Sequence, residues 1–264
     1  MPYRIDLCNA ADDTIDRLVE LGALDVEVLG DGTVAALLPD GVTPGHAASA
    51  LGVDDLLIST AIGRDADSVW ILNPRPVRVG RLHMVPADHE ILPGAVRLID
   101  APAFGTGLHP TTALCLEALD ETVEIVRPRS VLDVGTGSGV LALAALTLGV
   151  PRALAIDIDD EALRAAAENA RLNDVADRLP LARGGPDTLT GTWPLVLANV
   201  LAAPLIEMAP ALVRRVGHHG HLVLSGIPVS VEEDVDRAYR HLGMRRMRTR
   251  ARAGWIALEM QASW

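Results

Sequence analysis

Ser130-Val131-Leu132-Asp133-Val134-Gly135-Thr136-Gly137-Ser138-Gly139 is the stretch on which the reading of this chain turns. A short apolar run, Val131 to Val134, ends in a turn carrying Gly135, Gly137 and Gly139, and an alanine- and leucine-rich segment, Val140 to Leu148, follows at once. That pattern is strand, glycine turn, helix: the opening of a βαβ nucleotide-binding unit. Glycine suits the turn because the backbone must bend sharply and admit a ligand without a Cβ in the way. N–H groups at the start of the following helix can then receive an anionic group.

The spacing narrows the ligand. A dinucleotide fingerprint, G-x-G-x-x-G, would put its third glycine at position 140, which is Val140; the chain has G-x-G-x-G, with Asp133 two residues earlier. A second apolar run, Ala153 to Asp159, places Asp157 at a strand end, where a carboxylate can accept both hydroxyls of a ribose. An acid at each of two neighbouring turns suits a ligand with an amino group and a ribose, and S-adenosylmethionine has both. Asp133, Gly135, Gly137, Gly139 and Asp157 are therefore the expected cofactor-binding residues. The competing reading is a plain α/β protein with a glycine turn.

With 264 residues, 49% of them hydrophobic, the chain suits one large domain and a small one, with a sizeable core available. Phe104 is the one phenylalanine, so the core must be built from Leu, Val, Ile and Ala. No stretch of 18 apolar residues and no basic-then-apolar leader is present, which predicts a cytoplasmic protein without membrane contact. A formal net charge of −12 argues against direct binding to a nucleic-acid backbone and suits a basic substrate. All 23 basic side chains counted as lysine or arginine are arginine. Cys8 and Cys115 stand apart, with no C-x-x-C and no histidines at ligand spacing, so neither a disulfide framework nor a metal site is expected.

In chain order, Tyr3–Leu7 alternates like a strand, and Asp12 to Leu21 has helical apolar spacing. Asp25–Leu29 and Thr33–Leu38 flank Gly30-Asp31-Gly32, a hairpin turn. A helix after Pro44 and a strand near Leu56–Thr60 complete β-α-β-β-α-β, a ferredoxin-like unit over residues 1–61 suited to substrate docking. Residues 62–102, rich in proline and glycine, read as a linker and short lead-in strands, with Arg75, Arg78 and Arg81 as solvated edge charges. Ala103 to Leu119 then packs Phe104, Gly105, Thr106, Gly107, His109, Pro110, Thr111 and Thr112 into a loop that runs into a helix, with Thr111 and Thr112 positioned to cap it. So dense a loop points to function, the alternative being an elaborate helix cap.

Beyond the glycine turn, Asp159 or Asp160 caps a helix to about Leu172, and Leu179–Ala182 is a weak strand. Pro194–Asn199 is a buried strand ending in an amide, followed by a helix from Ala202 to Val213. Ligands of an open parallel sheet lie beyond the carboxyl ends of its strands, which puts Asn199 where a reacting group would sit. The alternative is that Asn199 caps the next helix. Strand His221–Ser225, helix Val231–Leu242 and strands Met244–Arg250 and Trp255–Met260 close the chain, and the final hairpin predicts an antiparallel strand at the sheet's edge.

Together these residues resemble a known family. Asp133 to Gly139, Ile156-Asp157-Ile158-Asp159 and the C-terminal hairpin are similar to a class I S-adenosylmethionine-dependent methyltransferase. Phe104-Gly105-Thr106-Gly107-Leu108-His109-Pro110-Thr111-Thr112 resembles the signature of the ribosomal protein L11 methyltransferases (PrmA), and Asn199-Val200-Leu201-Ala202 with Pro204-Leu205 resembles that family's fourth motif. The likeness spans roughly residues 76 to 260. The family usually carries a tryptophan-rich acidic stretch before the linker, of which Trp70 alone remains.

The resemblance implies a seven-stranded, Rossmann-like α/β sheet over residues 103–264 with the small N-terminal α+β domain in front of it. It implies Thr112, Gly135, Asp157 and Asn199 as cofactor contacts, and Thr106 and His109, with Asn199, at the reacting centre. The implied reaction is methyl transfer from S-adenosylmethionine to lysine side chains and/or the N-terminal amine of a ribosomal large-subunit protein, by a monomer. Rival readings are a lysine methyltransferase acting on another protein such as the electron-transfer flavoprotein β subunit, a catalytically silent scaffold that binds ribosomal protein, and a nicotinamide-dependent oxidoreductase. The aromatic clamp N-P-P-Y is absent after Asn199, so successive methylations are not sterically barred there.

Overall fold

The computed structural model describes residues 3–7, 11, 13–28, 34–39, 41–53, 57–60, 76–89, 93–99, 109–252 and 254–264. Cys8, the expected turn at Gly30-Asp31-Gly32, Arg75 and the loop from Asp100 to Leu108, Thr106 included, lie outside these residues.

The first elements are β1 (Tyr3–Leu7), α1 (Thr14–Glu20), β2 (Asp25–Val28), β3 (Val34–Leu38), α2 (Pro44–Leu51) and β4 (Leu57–Thr60). The strands form one antiparallel sheet in the order β2-β3-β1-β4. Ile5, Val34, Ala36 and Leu38 bury against Leu18 of α1 and Ala47 and Leu51 of α2, a core made by the period-2 and period-3.6 spacing of these residues. Thr43 caps α2 by accepting from the His46 N–H at 3.3 Å, and Gly52 ends it in the left-handed region at φ +70°.

Three short strands, β5 (Val77–Val79), β6 (Leu82–Pro86) and β7 (Ala95–Leu98), make a second small sheet. Its buried residues Val79, Leu82, Met84, Val96 and Leu98 belong to the same core as α3 (Pro110–Val126), which follows them in the chain. Arg81 is solvent-exposed, as expected of a solvated edge charge, and is ion-paired as well. Its Nε lies 2.6 Å from Asp120 Oδ1 and its Nη2 donates to the Asp120 carbonyl at 3.0 Å, so it fastens this sheet to α3. Arg78 is exposed as well.

The large sheet comprises β8 (Ser130–Val134), β9 (Arg152–Asp157), β10 (Leu181–Arg183), β11 (Trp193–Asn199), β12 (Val216–Pro228), β13 (Met244–Arg252) and β14 (Trp255–Ala262). Its order is β10-β9-β8-β11-β12-β14-β13. The first five are parallel and β14 runs against both neighbours. Helices α4 (Val140–Thr147), α5 (Asp160–Leu172), α6 (Ala202–Val213) and α7 (Glu232–Arg240) connect them. One core packs the sheet against α3 and α4, the other packs it against α6 and α7, so the sheet is covered on both faces. Among the described residues no helix is long and apolar enough to cross a membrane.

The antiparallel strand is not at the edge, as expected, but one place in from it. The composition of the hairpin explains the exchange. Ile256, Ala257, Leu258, Met260 and Ala262 of β14 are buried. β13 carries Arg245, Arg246, Arg248, Arg250 and Arg252, of which Arg248 and Arg250 reach Glu121 at 2.6 and 2.7 Å and Arg252 reaches Glu117 at 2.7 Å. The apolar strand takes the interior, and the charged one forms an edge that resists pairing with other chains.

Candidate active site

At the carboxyl ends of β8 and β9 the glycine turn is closed by its own bond from the Gly139 N–H to the Thr136 carbonyl at 2.9 Å and is held by its surroundings. The Gly135 and Thr136 N–H groups donate to the Ile156 carbonyl at 2.9 and 3.1 Å. The Gly137 N–H donates to Asp157 Oδ2 at 2.9 Å, and the Asp159 N–H to Asp157 Oδ1 at 3.1 Å. Asp157 thus ties two turns together from the end of β9, where it remains half-buried. Asp159 caps α5, accepting from the Glu161 N–H at 2.8 Å.

Asp133 is completely buried. Its Oδ2 accepts from the Thr136 hydroxyl at 2.6 Å and from the Ala142 N–H at 3.3 Å. The N-cap of α4 is Gly139, which has no side chain, so Asp133 caps that helix from the neighbouring strand. Its other oxygen, Oδ1, is buried and has no hydrogen-bond partner among the described residues. Burial raises its pKa to about 7, ahead of the opposing bonds from Thr136 and Ala142. Because the folded carboxyl keeps its proton to higher pH than the unfolded one, at 3.8, its contribution to stability is full below that value and is lost as pH rises through about 7. Asp133→Asn is therefore expected to flatten the decline in urea-unfolding stability between pH 4.5 and 7.5; an unchanged pH dependence would contradict this role.

The glycines serve the protein as much as any ligand. A Cβ on Gly135 would lie 2.3 Å from Val200 Cγ1, and one on Gly139 would lie 3.2 Å from the Ala166 Cβ. At these two positions the missing Cβ makes room for Val200 and for α5. Gly137, at φ +55°, presents its N–H to Asp157.

The helix expected after the dense loop is α3, but its cap is His109 rather than Thr111 or Thr112. Nδ1 of His109 accepts from the Thr111 N–H at 3.3 Å and lies 2.8 Å from the Thr111 hydroxyl. The ring is buried edge-on to Trp255, with centroids 5.3 Å apart. Burial lowers its pKa to about 4, so it is neutral at pH 7 and holds Nδ1 as an acceptor. Such a ring shapes the site but is a weak base toward an ammonium ion, whose reference pKa is near 10.4. His109→Ala should cost about 1 kcal/mol in unfolding free energy, as for other lost caps, whereas Asn at this position should retain most of it. Equal losses would remove the capping role.

Asn199 ends β11 at the carboxyl edge of the sheet. Its Nδ2 donates to the Thr112 hydroxyl at 3.3 Å, which brings together two side chains 87 residues apart. Its Oδ1 is buried and has no hydrogen-bond partner among the described residues. No side-chain cap bond is made at α6, whose N-cap is Leu201, so Asn199 is not a helix cap.

Two groups escaped the sequence reading. Trp255 opens β14 beside His109, and only its place just after the final turn, at the carboxyl edge of the sheet, signalled it. Asn169 in the last turn of α5 and Asn173, the residue that caps its C-terminus, are the other pair. Asn169 donates to the Ser138 carbonyl at 2.9 Å and accepts from the Ile99 N–H at 2.8 Å. Asn173 accepts from the Arg97 N–H at 2.8 Å and donates to its carbonyl at 2.7 Å. They bind the glycine turn and the end of β7 to the C-terminal end of one helix, and an asparagine within an alanine-rich helix with a second just after it was the available hint.

The profile of the ribosomal protein L11 methyltransferase (PrmA) family matches residues 51–263, a span that includes the glycine turn, Asp157, His109, Thr112 and Asn199. The chain belongs to that family. A ribosomal protein L11 methyltransferase of Methylococcus capsulatus is 39% identical over 95% of this chain and 94% of its own length. One from Pelobacter propionicus is 41% identical over 79% of this chain and 70% of its own length. Among solved structures, the ribosomal protein L11 methylase of Lactobacillus delbrueckii subsp. bulgaricus superposes with a TM-score of 0.66 at 31% identity, over 72% of this chain and 99% of that one. A putative methyltransferase of Escherichia coli, at 19% identity and a TM-score of 0.51 over 61% of this chain and 90% of its own, shares the fold. PrmA membership makes the chain a methyltransferase and sets aside the nicotinamide and silent-scaffold readings.

Proposed function

We propose that the protein transfers methyl groups from S-adenosylmethionine to lysine side chains and/or the N-terminal amine of ribosomal protein L11. The observation that carries this reading is the unpartnered Asn199 Oδ1, buried at the carboxyl edge of the sheet and steadied by Thr112. A buried amide carbonyl without a donor costs free energy unless a ligand supplies one, and an amine does so.

The residues present fit the cofactor. Asp157, at the end of the second strand, offers carboxylate acceptors to ribose hydroxyls, and the Gly135–Gly139 turn, Thr112 and Asn199 stand around the same edge. When bound, S-adenosylmethionine supplies a methyl group made electrophilic by a positive sulfur. The chain's own task is to hold the amine in line and unprotonated. Asn199 accepts a hydrogen bond from the attacking nitrogen and orients its lone pair. The buried, neutral His109 and the Trp255 ring make surroundings of low polarity, which favour the uncharged amine. No side chain has to form a covalent intermediate.

Residues 1–61, with strand order β2-β3-β1-β4, are read as a ferredoxin-like docking domain, joined through 62–102 to a catalytic domain at 103–264. The net charge of −12 favours approach of a basic protein and disfavours nucleic acid. A monomer working in the cytoplasm accords with such a substrate. A chain beginning at Pro76 is expected to bind S-adenosylmethionine but lose most transfer to L11; undiminished transfer would exclude the docking role. The function itself is tested with radiolabelled S-adenosylmethionine and purified L11, with electron-transfer flavoprotein β subunit in parallel. Label in L11 is expected, and label confined to the flavoprotein subunit would overturn the substrate assignment.

A further inference from the structure

Val200 directly follows Asn199, and it fills the Cβ positions of two glycines from different elements. A Cβ on Gly135, in the turn after β8, would lie 2.3 Å from Val200 Cγ1. A Cβ on Gly226, near the end of β12, would lie 2.1 Å from the Val200 carbonyl oxygen and 2.7 Å from its carbonyl carbon. Both glycines have positive φ, +70° and +86°. Gly226 stands where the pairing of β12 with β14 shifts register between Ser225 and Ile227. A bulge of this kind bends a strand and re-aims its neighbours beside active sites. The two contacts differ in kind: Gly135 meets the Val200 side chain, and Gly226 meets its main chain.

The geometry points to Val200 as a positioning residue, wedged between the Gly135 turn and the Gly226 bulge so as to fix the aim of Asn199. The wedge joins the turn read as receiving the cofactor to the amide read as receiving the amine. It acts through the main chain, since an aliphatic side chain can neither donate nor accept a hydrogen bond. This inference rests on the proposed role of Asn199.

The test uses the full chain and three readouts: binding of S-adenosylhomocysteine by calorimetry, thermal unfolding, and steady-state methylation of purified L11. Val200→Ala removes the Cγ atoms and leaves its Cβ 3.8 Å from the Gly135 Cβ position. It is expected to lower kcat at least about tenfold while the dissociation constant moves less than about threefold. Val200→Thr keeps the branched shape and should recover kcat to within about threefold of the parent. The Gly135→Ala/Val200→Ala pair should melt higher than Gly135→Ala alone, because the overlapping Cγ1 is gone. Gly226→Ala/Val200→Ala should melt no higher than Gly226→Ala, because that overlap is with main chain. Unaltered kcat in Val200→Ala, or no gain in the first pair, overturns the wedge. Asn199→Ala is assayed alongside. If it retains kcat, the reading of Asn199 falls and the wedge with it; if it loses kcat while Val200→Ala keeps it, the wedge alone falls.

Discussion

Asn199→Ala is expected to lower kcat about 100-fold while leaving cofactor affinity within a factor of about three, because an orienting contact matters most as the transition state is approached. The residue ends β11 with its Nδ2 on the Thr112 hydroxyl and its Oδ1 unpartnered. Asn199→Asp makes the sharper comparison. It nearly keeps the shape but adds a negative charge, which favours the protonated and unreactive ammonium form. More alkaline conditions are then needed to expose the lone pair, so the pH–rate profile should move upward. Stopped assays across pH 6.5 to 9.5 measure this. A profile that does not move, with kcat preserved in folded enzyme, would return Asn199 to a structural role.

Asp157→Ala should weaken S-adenosylmethionine binding at least about tenfold, since each hydrogen bond to a charged acceptor contributes roughly 1.5–3 kcal/mol. The loss has two sources. The ribose loses its acceptor, and the Gly137 and Asp159 N–H groups lose the carboxylate that holds both turns. Asp157→Asn separates them. Its carbonyl can still accept from Gly137, but its amide nitrogen would face the Asp159 N–H as a second donor, so affinity should fall between wild type and the Ala variant. Calorimetric titration decides it, and equal affinity in all three proteins would contradict the assignment.

The fold was legible wherever local pattern and tertiary role coincide. The strand–turn–helix at 130–147 and the helix from Ala202 to Val213 are found where the apolar pattern and the glycine turn place them. The exchange of β13 and β14 was not legible, because a hairpin in sequence does not state which of its strands inserts; that depends on Glu117 and Glu121 of α3 receiving the β13 arginines. The candidate site divides in the same way. Asp157 and Asn199 announce themselves at strand ends. Trp255, Asn169 and the seat of Val200 depend on contacts between segments far apart in sequence. His109 was visible as a site residue, but its work as a cap depends on how the ring turns toward Thr111.

On the proposed function, the carboxyl edge around Asn199 methylates amines of ribosomal protein L11. Mass spectrometry of L11 after incubation with S-adenosylmethionine and either wild-type enzyme or Asn199→Ala tests it most directly, with cofactor binding by both proteins checked in the same samples. The expected result is methyl groups on lysine side chains and/or the N-terminal amine with the wild type, and L11 left almost unmodified by a variant that still binds cofactor. Unmodified L11 with the wild type, or equal modification by both, would contradict it.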